Sequence, residues 1–71
     1  MRLYRFLTGP DDAAFCARVE AALNAGWQLH GSPSLTNVDG KGYCGQAIVR
    51  EVPGEYAGFR TQAEINAEFP A

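Results

Sequence analysis

The sequence predicts an α+β fold in the order β-α-β-β: a three-stranded mixed sheet, one amphipathic helix on one face, and a short C-terminal helix or arm. Three observations carry the prediction. An apolar run at residues 2–7 gives way, across "TGPDD", to an alanine-rich stretch of helical period. Two apolar stretches then flank Asp39-Gly40, a favoured two-residue hairpin turn. Finally "TQAE", Thr61 to Glu64, has capping-box spacing, and Ile65 and Phe69 follow four residues apart.

In "RLYRFL", Leu3 and Leu7 share a face with Arg5 while Tyr4 and Phe6 point the other way, because strand side chains alternate. Both faces are therefore apolar. In "TGPDD", Thr8 or Gly9 caps the coming helix and Pro10 suits its first turn, where a missing N–H costs nothing. Asp11 and Asp12 meet the positive end of the helix dipole. "AAFCARVEAALNAG" places Phe15, Val19, Ala22 and Leu23 on one narrow stripe, with Cys16 and Arg18 at its edges, and stops at Gly26.

"WQLHGSPSLT" alternates Trp27, Leu29, Gly31, Pro33 and Leu35 with polar residues, the mark of a half-buried strand. Pro33 cannot donate to a ladder and marks an edge or a bulge. "YCGQAIVREV" supplies the third strand through Tyr43, Ala47, Ile48, Val49 and Val52. A right-handed crossover makes the first two strands parallel, and the hairpin makes the second and third antiparallel. The third strand is richest in β-branched residues and free of proline, so it is expected between the other two.

The stretch "DGKGYCG" carries Gly40, Gly42 and Gly45 at the spacing of a dinucleotide fingerprint. Such glycines hold a pyrophosphate only where they lead into the N-terminus of a helix. Here a β-branched run follows, so the stretch reads as a hairpin.

Seventy-one residues make one domain, 1–71, with a βαββ core over 1–52 and a tail over 53–71. A domain this small buries only roughly 60% of its unfolded surface, so its core is thin and a staple or a partner is usual. Six Lys and Arg against eight Asp and Glu leave no basic surplus for a nucleic-acid backbone. The apolar run near the start is short and interrupted by Arg5, unlike a secretory leader, and no segment is apolar enough for a bilayer. A cytoplasmic setting is expected, with Cys16 and Cys44 as thiols rather than a bridge.

Together "YRFLTGPDD", "GWQLHGSPSL" and "CGQAIV" resemble a family of short bacterial proteins described as domain of unknown function 1737. The resemblance runs from about Leu3 to about Val52 and leaves out the tail. It implies the same element order and a bacterial, cytoplasmic protein. It brings no activity, cofactor or catalytic residue with it.

No complete catalytic constellation is visible. His30, the only histidine, shares its strand face with Ser32 and Ser34, each roughly 7 Å further on, too far for a base and its nucleophile unless a bulge folds them together. Cys16, Cys44 and His30 offer three metal ligands at most, where structural zinc wants four. The thiols read as small buried hydrophobes. Asp11 and Asp12 are dipole partners, Glu64 and Glu68 a solvated helix edge, and Trp27 a core anchor. No catalytic, cofactor-binding or metal residue is assigned.

The balance points instead to association. One helix covers one sheet face, yet both faces carry apolar groups: Tyr4 and Phe6 oppose Leu3 and Leu7, and Ala47 and Val49 oppose Ile48. Covering roughly 500 Å2 of such surface contributes on the order of 12 kcal/mol before entropy is subtracted. The expectation is a non-enzymatic module that self-associates, with a homodimer favoured, and that also suits a larger protein partner. The alternative is a small-ligand site at a subunit boundary. Candidate interface or ligand residues are Tyr4, Phe6, His30, Ser32, Ser34, Tyr43 and Gln46.

Overall fold

Pro10 ends a strand here instead of opening a helix. In the computed structural model, which describes residues 1–71, β1 spans Arg2–Pro10 and α1 spans Ala13–Asn24. The expected cap at Thr8 or Gly9 gives way to Asp12, whose carboxylate accepts from the Phe15 N–H at 3.0 Å. Its short side chain reaches back to an unpaired first-turn donor, which a strand residue further upstream cannot do. The helix stops as expected. Ala25 closes the last turn and Gly26 follows at φ 95°, a left-handed conformation that costs glycine nothing.

The next strand, β2, spans Gln28–Val38, and β3 spans Lys41–Glu51. Between them Asp39 and Gly40 both take positive φ, 52° and 81°, the turn that matches strand twist. The Gly40 N–H is held by Asn37 Oδ1 at 3.0 Å. The strand order is β1-β3-β2, with β3 in the middle as expected. The two outer strands run the same way but never pair, so both ladders are antiparallel and the sheet is antiparallel throughout rather than mixed.

The ladders fix which residues share a face. On one face lie Leu3, Arg5 and Leu7 of β1 with Arg50, Ile48 and Gln46 of β3. Leu3, Leu7 and Ile48 join Ala22 of α1, Trp27, Val52 and Ile65 in one buried cluster. Phe15 and Val19 pack on it half-buried, whereas Leu23 of the predicted stripe is exposed. Only nine of 71 residues are buried, the thin core that so short a chain was expected to have.

Residues 53–61 pass beside β1 and lead into α2, Gln62–Glu68, capped by the expected box: Thr61 and Glu64 each accept from the other's backbone N–H. Ile65 is fully buried, and Asn66 Oδ1 accepts the Trp27 indole N–H at 2.8 Å. The tail therefore folds onto its own chain, on the face that α1 already occupies. Glu68 is not simply solvated, since it pairs with Arg60.

Arg5 shares this face with Leu3 and Leu7, as alternation predicts. Its guanidinium lies 4.2 Å from the Phe59 ring centre and 5.4 Å from that of Trp27, and it donates to the Tyr4 and Arg60 carbonyls. Burial lowers its proton affinity, a shift that Tyr56 opposes. An aromatic sandwich of this kind holds the irregular tail against the sheet without regular backbone pairing.

Candidate functional site

The second sheet face follows from the same register. Four uncharged rows cross it: Tyr4–Val49–Gln28, Phe6–Ala47–His30, Thr8–Gly45–Ser34 and Pro10–Tyr43–Thr36. Charge stands only at the two ends of the strip, with Arg2 opposite Glu51 at one and Lys41 beside Val38 at the other. An uncharged middle with a charged rim is the anatomy of an interface. Both helices bury their apolar residues on the opposite face, so neither helix roofs these rows, and the tail comes beside Tyr4 only at the β1 edge. Tyr4 is 55% exposed, Phe6 52% and Tyr43 38%, high values for aromatic side chains in regular strands.

Phe6 folds inward over Gly45. A Cβ on that glycine would stand 2.6 Å from Phe6 Cζ, so the ring occupies room that only glycine leaves. Beside it lies a hollow of about 380 Å3, lined among others by Thr8, Ser34, Thr36 and Tyr43. The other side of the sheet has a smaller groove of about 250 Å3 between α1 and β2, where Leu23 and Leu29 are exposed.

The expected half-buried strand β2 proves to have no buried residue at all. Its register slips between His30 and Ser34, where four steps of β2 face two of β3, the bulge that Pro33 foretold. An insertion of two residues preserves alternation, so Leu29 and Leu35 still share the helix face. They extend past the helix, however, and Leu35 is 72% exposed.

The structure separates the sequence-derived candidates. Phe6, Ser34 and Tyr43 come together at the hollow, with Tyr4 further along the same face. His30 lies one row away and Ser32 in the bulge, both exposed. Gln46 turns to the opposite side, is 5% exposed, and donates to the carbonyls of His30, Gly31 and Ala47. It therefore holds the bulge from the helix side, where it also lines the groove between α1 and β2 and stands apart from the hollow at Phe6 and Tyr43. Thr8, Thr36 and Gly45, absent from the candidates, were findable once β1 was carried through to Pro10.

The thiols depart from expectation too. Cys16 is exposed and Cys44 half-buried, so neither is a buried core residue. Loss of solvation raises the Cys44 thiol's proton affinity, and Asp11, Cys16 and Asp12 add to the shift, which disfavours a thiolate nucleophile. Nowhere do three His, Cys, Asp or Glu side chains gather in a metal-binding group. No helix is long and apolar enough to cross a membrane.

No curated protein and no solved structure matches the chain. A family model does match, over residues 1–51, which takes in β1, α1, β2 and β3 and stops before the tail. The chain belongs to the family described as domain of unknown function (DUF1737).

Proposed function

We propose that the protein is a non-enzymatic interaction module that pairs with a second copy of itself through the open sheet face. The observation that carries this is the exposure of Tyr4, Phe6 and Tyr43 on a face whose four middle rows hold no formal charge. At strand spacings the face measures about 30 by 14 Å, so a pair buries roughly 800–1,000 Å2 in total, below the range of stable complexes and within that of weak, transient association. A reversible dimer of weak affinity is expected. Sheet-on-sheet packing would give a layered body with all helices outside.

Light scattering behind size-exclusion chromatography tests the reading. The expected mass at high concentration is twice the 7.7 kDa chain mass, falling toward one chain on dilution. Phe6→Ser should shift that equilibrium to the monomer while leaving the helix-side core intact. A wild-type monomer at every concentration would refute self-association, and a larger protein partner would then remain the alternative occupant of the face.

A further inference from the structure

Building on this reading of the open face, we infer that the hollow around Gly45 is a binding site for a small, uncharged, flat ring compound with a hydrogen-bonding edge. Three observations define that chemistry. The row Thr8–Gly45–Ser34 has only short side chains of its own, and the Phe6 ring leans over the buried Gly45 to take the room that glycine leaves, so the hollow lies beside that ring. Phe6 and Tyr43 rise on either side of it, and the hollow of about 380 Å3 lies within the range of small-molecule pockets.

Sheets pack about 10 Å apart, so each face must fill about half that depth, and beyond the edge of the Phe6 ring the short side chains of Thr8, Ser34 and Thr36 cannot. When two copies close on each other, this row leaves space that neither sheet's short side chains occupy. The lining side chains then select the occupant. Thr8, Ser34, Thr36 and Tyr43 offer hydroxyls that both donate and accept, while aromatic walls favour a flat ring. No lining residue is charged, so an ion entering would lose water and find no counter-charge.

Indole and benzoate, a neutral and an anionic ring of similar size, make suitable probes in an amide NMR titration of the full chain. Indole should shift the amides of Thr8, Ser34, Thr36, Tyr43 and Gly45, and benzoate should leave them still. Gly45→Ala sets a methyl group 2.6 Å from Phe6 Cζ, which forces the ring out over the hollow, and should weaken indole binding roughly fivefold or more, with Thr36→Val as a second variant should the first unfold. No indole response, a response spread over the helices, or an equal response to benzoate would overturn the assignment. The two readings fail separately. A dimer that ignores indole sinks only the ligand site, whereas a monomer that binds indole at Gly45 sinks only the dimer.

Discussion

Ile65→Ala tests whether the C-terminal tail is an integral part of the fold. Ile65 is fully buried on α2 and lies in the cluster with Trp27 and Ile48. The substitution deletes three carbon groups worth about 0.8 kcal/mol each, or about 2.4 kcal/mol of transfer free energy. A residual cavity raises the expected loss to about 3–4 kcal/mol. At 0.05–0.15 kcal/mol per residue, a chain of this length holds only about 4–10 kcal/mol in all, so the variant should lose a third or more of its stability. Urea unfolding followed by fluorescence reads this directly, because the single tryptophan, Trp27, is 2% exposed and bonded to Asn66 of α2. Wild type and variant must be compared at one protein concentration, since association adds apparent stability. A loss below about 1 kcal/mol with an unchanged urea dependence would show that α2 is not anchored as described.

Gly26→Ala should destabilise by more than about 1 kcal/mol, because φ there is 95° and the new methyl would meet Arg50 Nε at 2.9 Å; thermal unfolding measures it. Gln46→Ala should cost about 1–3 kcal/mol by leaving the bulge carbonyls of His30 and Gly31 without their donor, and faster amide exchange around residues 30–34 should accompany the loss. The Thr61 backbone N–H and then its hydroxyl hold the Glu64 carboxyl below its usual value, so its contribution is present above about pH 4.3 and fades as pH falls through the lower folded value. Glu64→Gln keeps the cap but cannot titrate, so the stability difference between wild type and variant should change over that acidic window and stay flat above it.

The element order was legible because each signal was local. Asp39-Gly40 determines its own turn, Thr61 and Glu64 their own cap, and the proline-free run through Ile48 its own central place. Where competing local signals overlapped, the pattern misled. Pro10 suits a first helical turn, but it also suits the end of an edge strand that needs no further donor, and pairing with Tyr43 decided the matter. Alternation in β2 correctly divided its faces but could not show that the hairpin outruns the helix, since cover depends on tertiary lengths. The face of Gln46 was legible, since alternation in β3 sets it with Ile48 and away from Tyr43, but its bonds to the carbonyls of His30 and Gly31 depend on the bulge in β2, and nothing in one strand's sequence reveals another's register. The open face survived these errors because it rests on parity alone, and parity does not depend on where an element ends.

Mixing isotope-labelled with unlabelled chain and recording only intermolecular NMR contacts shows which surfaces meet when two copies pair. Contacts are expected from the Tyr4, Phe6 and Tyr43 rings of one copy to the open sheet face of the other. Contacts confined to α1, α2 or the tail, or none at concentrations where light scattering shows a dimer, would contradict that pairing.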